Sequence, residues 1–170
     1  MQEEFSQALI HSGLSYTIIK PVGLFSGLHD LVTMAKWGLL LTPGDASSKT
    51  NPIHQRDLAH FCCQHLEDAN AVLEVGGSEI HSRQEVANLV CRMTQCRFNF
   101  NVPLFLVKSG IKLMRLLDRN LYDKLSFFTY ITTHDMVAPA YGQRKYETYL
   151  REEEDLAWVK SGQRYRYSQK

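Results

Sequence analysis

A ribbon of apolar and β-branched residues that stops at a proline constrains this chain more than any other feature. Tyr16-Thr17-Ile18-Ile19 runs into Lys20-Pro21, with Gly13 on its other side. β-Branched and aromatic side chains in a short, bounded run favour a strand. Nearly every member is apolar, so the sequence predicts a strand over 15–20 buried on both faces, as in a parallel sheet. Pro21 carries no N–H and ends the ladder. Val22 to Gly27 then lie outside the strand's carboxyl end, where open α/β sheets bind ligands. The same residues also fit a buried strand followed by an ordinary loop.

The flanking pattern extends this reading. Phe5, Ala8, Leu9 and Ser12 share one face of a helix over 3–12, Glu3 and Glu4 suit its start, and Gly13 suits its end. A helix joined by a short turn to a buried strand is the αβ half of a parallel-sheet unit. Helical spacing returns over 28–37. Leu39-Leu40-Leu41 reads as an extended run closed by the Pro43-Gly44-Asp45 turn, and Ser47 to Asn51 as polar loop. Asp57 reads as the N-cap of a helix with Leu58, Phe61, Cys62 and Leu66 on its apolar face. Ala71 to Val75 is a strand ended by Gly76-Gly77, and Ser82-Arg83-Gln84-Glu85 is a capping box. The helix behind that box carries Val86, Leu89, Val90 and Met93 on one face; Phe98 to Val102 reads as a short strand. From Pro103 the character changes: an apolar helix over 104–118, an aromatic-rich helix over 121–132, a loop over 135–142 and a charged helix over 144–158.

Bulk properties exclude several classes. With 170 residues, 44% hydrophobic and 22% charged, the chain can bury a core of its own. A net charge of +1 gives no global field for nucleic acid, and no apolar run reaches the roughly 18 residues of a membrane span. Met1-Gln2-Glu3-Glu4 does not read as a signal peptide. Cys62, Cys63, Cys91 and Cys96 make no Cys-x-x-Cys pair and are expected as reduced core thiols in a cytoplasmic protein. His60 and His65 are five apart, where helical zinc pairs prefer four, so no metal site is expected.

The blocks Ser12 to Phe25, Asn51-Pro52-Ile53-His54-Gln55-Arg56-Asp57-Leu58-Ala59 and Val72 to Ser82 together resemble the atypical short-chain dehydrogenase/reductases, the NAD(P)-binding NmrA-like and epimerase-like proteins. The first resembles that family's sixth-strand text, S-G-L-x-Y-T-I-[IL]-R-P, with Lys20 where the family mostly has Arg. The second resembles its extended segment and following helix, the third its seventh strand and capping box. The family's Gly-rich phosphate loop has no counterpart here. Its Tyr-x-x-x-Lys pair precedes the sixth strand; Tyr141 and Lys145 have the spacing but follow the seventh, which reads as chance.

The resemblance implies an α/β fold: a partial Rossmann-type sheet holding the sixth and seventh strands, flanking helices, and an α-helical C-terminal substrate-side region. Residues 1–102 would be the C-terminal part of an NAD(P)-binding domain and 103–170 a substrate-side or interaction region. Pro21, Val22, Gly23, Leu24 and Phe25 would line the nicotinamide site, with apolar walls suited to hydride transfer. No catalytic residue carries over, and affinity for NAD or NADP in this chain alone is expected to be weak or lost. The implied function is that of an NAD(P)-binding oxidoreductase-like protein, completed by a missing half, on an unidentified small molecule. The alternatives are a non-catalytic interaction or scaffold protein of the same fold, or a fragment without its own activity. An exposed sheet edge would favour a homodimer or a complementing chain.

Two further patterns stand apart from the family. Lys108, Lys112, Arg115 and Arg119 fall on one stripe at about 100° per residue. That stripe reads first as a solvated face and second as a contact for an anionic membrane or an acidic partner. Trp158, Arg164, Tyr165, Arg166 and Tyr167 could stack on nucleic acid, but the run is short and the chain near neutral, so no nucleic-acid partner is expected.

Overall fold

The computed structural model describes residues 2–115 and 118–155. Helix α1 (Gln2–Ile10) leads through Gly13, whose φ of 73° requires a left-handed turn, into strand β1 (Thr17–Pro21). A short 3₁₀ turn at Phe25–Leu28 feeds helix α2 (His29–Lys36). Strands β2 (Leu39–Pro43) and β3 (Lys49–Thr50), helix α3 (Gln55–Gln64) and strands β4 (Ala71–Val75) and β5 (His81–Ser82) follow. Helix α4 (Arg83–Thr94), strand β6 (Phe98–Val102) and helices α5 (Leu104–Met114), α6 (Arg119–Thr133) and α7 (Tyr146–Asp155) complete the described chain. Trp158 and the basic tail lie outside the described residues.

The strands form three ladders of two. β1 and β4 pair in parallel, Thr17 opposite Ala71 and Pro21 opposite Val75. β2 and β6 also pair in parallel, from Leu39–Phe98 to Pro43–Val102. β3 and β5 pair antiparallel. Parallel pairing joined through helices is the pattern of an α/β Rossmann-type sheet, and the flanking helices complete that fold class.

The ladders are sewn together by extended segments. Leu24 bridges Ile53, and residues 135–142 bridge both Thr50, through Met136, and Gly76, through Ala140. Ser47 to Asn51 is therefore not simply polar loop: Lys49 and Thr50 form a strand. Asn51 is fully buried; its amide donates to Gly77 O (3.1 Å) and Ala138 O (2.8 Å) and accepts from Ala138 N (3.0 Å). A buried amide must find such partners, and here they are backbone groups of two other segments.

The core closes around Phe25. Val32 and Ala35 of α2, Val86, Leu89 and Val90 of α4, and Tyr146 and Leu150 of α7 surround it. The α4 residues are those its helical spacing places on one face, each stabilising by about 1.5–3 kcal/mol when fully buried.

Three expectations need correction. The strand over 15–20 is not buried on both faces: Thr17 to Lys20 are only half-buried, because β1 has β4 as its single strand neighbour among the described residues. The helix over 104–118 is shorter than expected, and the one expected over 121–132 starts two residues earlier. α5 ends at Met114, and the Asp118 carboxylate accepts from Asn120 N (2.8 Å) and Leu121 N (3.2 Å) to start α6. Arg119 thus opens α6, and the basic stripe is divided, leaving Lys108 and Lys112 on α5 with Arg115 at its end. Finally, Asp57 does not cap α3. His54 does, its Nδ1 accepting from Arg56 N at 3.0 Å, while Asp57 sits buried in the first turn.

Candidate functional site

The loop after β1 sits where the sheet's topology favours a ligand. Its polar backbone is largely committed to neighbours. Val22 N donates to Val75 O (3.1 Å), Ile53 N donates to Gly23 O (2.8 Å), and Phe25 N donates to Ile53 O (3.1 Å). Pro21 is exposed, Val22, Gly23 and Leu24 are half-buried, and Phe25 is buried. The Phe25 ring points into the core against Tyr146 (centroids 5.2 Å), Tyr149 (5.4 Å) and His54 (5.6 Å). A Cβ added at Gly23 would lie 3.7 Å from Pro52 Cβ, an ordinary contact, so packing does not demand glycine there. Absence of a side chain instead leaves the backbone open to approach from outside.

The backbone of this loop bears on whether it could hold a diphosphate. A diphosphate needs free N–H groups converging at a glycine-rich strand–helix turn. The turn after β1 spends its Val22 and Phe25 N–H groups inside the protein. Those two N–H groups are therefore not available to a diphosphate.

Behind the loop lies a charged pair that no local sequence pattern marks. The Asp57 carboxylate accepts from Gln143 N (3.2 Å), Arg144 N (3.1 Å) and the Arg144 guanidinium. Burial pushes the Asp57 carboxyl up, but the Arg144 and Gln143 hydrogen bonds together outweigh it and hold the group below the ordinary range. A Cβ on Gly142 would collide with the same carboxylate, and the φ of 84° there is left-handed, so glycine is required twice over. His54, between Phe25 and Tyr149, is pushed down by burial first and by the Arg144 charge second, which favours neutral imidazole.

The spacing Tyr141–Lys145 does not become a catalytic pair. Tyr141 donates to Gln64 Oε1 (2.7 Å) and Lys145 pairs with Glu79 (3.0 Å). All four thiols are free, and Cys63 is exposed rather than in the core. Burial first, then the Cys96 thiol, pushes Cys91 up to about 12, so it is no nucleophile at neutral pH. Among the described residues no cluster of three His, Cys, Asp or Glu side chains could hold a metal, and no helix is long and apolar enough to cross a membrane.

A cavity of about 640 Å³ opens at the carboxyl ends of β2 and β6. Pro43 and Val102 form its floor, Val107, Ile111 and Met114 of α5 one wall, and Leu125 and Phe128 of α6 the other. Sequence reading missed it because its walls come from five elements, Asp30 and Met34 of α2 completing them.

No protein-family model matches the chain, and no curated protein matches it in sequence. Solved structures match it in fold. A nucleoside-diphosphate-sugar epimerase from Staphylococcus aureus superposes with a TM-score of 0.61 at 12% identity, over 88% of this chain and 56% of that one. DesIV, a dTDP-glucose 4,6-dehydratase from Streptomyces venezuelae with NAD bound, gives 0.54 at 14%, over 90% and 48%. A GDP-6-OMe-4-keto-L-xylo-heptose reductase from C. jejuni gives 0.53 at 12%, over 92% and 57%. The chain spans about half the length of these structures. At such identities the likeness is one of fold.

Proposed function

We propose that this chain is the C-terminal, substrate-side portion of an atypical short-chain dehydrogenase/reductase-like protein, acting with NAD or NADP. The supporting observation is coverage: nearly all of this chain, but only half of each neighbour, is shared. Residues 1–102 then form the end of the cofactor domain and 103–170 the substrate-side region. Pro21, Val22, Gly23, Leu24 and Phe25 border the nicotinamide, Phe25 through its backbone. The cofactor supplies the hydride chemistry when bound, and these residues orient the ring and exclude water. The reaction class is hydride transfer or NAD(P)-dependent isomerisation of a small molecule, completed by a first half that carries the diphosphate cradle.

Saturation-transfer NMR with NADH and NADPH at millimolar concentration tests this reading. The expected result is weak transfer, stronger to nicotinamide protons than to adenine protons. Adenine-dominated transfer, or none to the nicotinamide, overturns it.

A second reading, a non-catalytic interaction protein of the same fold, draws support from the apolar outer face of β2 and β6, where Leu39, Leu41, Phe98 and Phe100 are all exposed. Recovery of one stoichiometric partner from native extract supports it; a monodisperse monomer without partner counts against it.

A further inference from the structure

Arg83 is the residue the fold leaves least explained. It is only 8% exposed. Its Nη2 donates to Ile131 O at 2.5 Å, near the end of α6, and its Nε has no hydrogen-bond partner. Burial alone pushes its pKa down, with no carboxylate countering it. The carbonyl end of α6 supplies part of a counter-charge. A guanidinium nevertheless has five donors in a planar fork, and a buried one without a paired anion is costly.

The space beside Arg83 is not solid. A small chamber of about 70 Å³ is lined by Arg83, Thr42, Leu31, Val86 and Thr132. Asp30, Leu41, Pro43 and Phe128 are walls both of this chamber and of the 640 Å³ cavity, so the two are neighbours through shared side chains. The larger space falls in the range that holds small ligands, about 300–1,000 Å³. Its charged residues are one of each sign, Asp30 and Lys124, so the outer cavity has no strong net charge. Arg83 lines the inner chamber, with Asp30 on the wall the two spaces share, and the hydrocarbon surface lies at the outer end.

We propose that chamber and cavity together form one binding site for an organic anion with an apolar body, a carboxylate whose head meets Arg83 and whose hydrocarbon part lies against Leu41, Val107, Ile111 and Phe128. A carboxylate is planar and matches the guanidinium fork, taking up donors the protein leaves idle. The apolar walls then contribute through burial of the hydrocarbon. Gly27 and Leu28, which also line the chamber, follow the nicotinamide loop directly in the chain, so a ligand seated here approaches that loop. Binding itself needs no cofactor, and its success or failure is separate from the nicotinamide reading.

Isothermal titration of the full chain with octanoate, octanol and inorganic phosphate tests the proposal. Octanoate is expected to bind, octanol about tenfold more weakly, since a charge-assisted hydrogen bond is lost, and phosphate not measurably. Arg83→Gln should bring octanoate to the level of octanol. Gly110→Leu provides a variant that does not depend on Arg83. A Cβ at Gly110 meets nothing within 4 Å, and leucine is a better helix former than glycine. Its side chain enters the cavity and should weaken octanoate about tenfold or more, following the loss of room for the hydrocarbon. Equal affinity for octanol and octanoate, phosphate binding as tight as octanoate, no octanoate binding by the folded wild type, or an unaffected Gly110→Leu variant would each overturn the proposal.

Discussion

The Asp57 carboxylate is held by two backbone N–H groups and a guanidinium contributed from about 87 residues further along the chain. Its pKa is depressed, so the stability it supplies is present above the unfolded value of about 3.9 and is lost as pH falls through the folded value. Asp57→Asn keeps the shape and removes the charge. Arg144 is 44% exposed, so water screens part of the pair. The expected cost at pH 7 is about 1–3 kcal/mol, shrinking below about pH 4, as urea melts across pH would show. A pH-independent difference would refute this account. Asp is a favoured N-cap, and locally the sequence invites that role. Distant Arg144 and Gly142 decide otherwise. Asn51 and Arg83 were opaque for the same reason: each looks like an ordinary polar residue until partners far along the chain enclose it.

Helix α4 shows what local pattern does reveal. Ser82 Oγ accepts from Glu85 N (3.1 Å), and Glu85 Oε2 accepts from Ser82 N (2.6 Å), the reciprocal box that Ser-x-x-Glu announces. At the other end Gln95 closes the helix with φ 54°, a left-handed conformation that glycine adopts more easily. The two ends should respond in opposite directions. Ser82→Ala is expected to cost about 0.5–2 kcal/mol. Gln95→Gly should stabilise by up to about 1 kcal/mol, raising the melting temperature by a few degrees. Thermal melts of both variants check this, and a destabilised Gln95→Gly would count against the αL argument. The break between α5 and α6 falls close to where the sequence places it, with the second helix opening at Arg119. Gly110 lies within α5 without ending it, and the start signal for the second helix is Asp118. Its carboxylate satisfies two N–H groups of a new helix, and that local bond outweighs continuation.

Across the molecule, parallel pairing was legible in the apolar ribbon and its glycine and proline bounds, but cover for the sheet was not. β1 and β4 each have one strand neighbour among the described residues. The outer face of β2 and β6 leaves Phe98 47% and Phe100 55% exposed, with their rings stacked at 5.9 Å. Unpaired edges and apolar faces promote association. Light scattering after size exclusion should therefore give a concentration-dependent mass above the 19.5 kDa of one chain. Phe100→Lys should lower that mass. A monodisperse single chain at high concentration would refute the prediction. The strap over 135–142 carries a different consequence. It joins Thr50 and Gly76 only after most of the polypeptide has been gathered, since Asn51 and Ala138 are 87 residues apart. Closing so long a loop is an entropic toll that local helices never meet. The Ala138 amide should thus gain protection from hydrogen exchange late in refolding, after α4 has acquired its own, making this short strap the clasp that is fastened last.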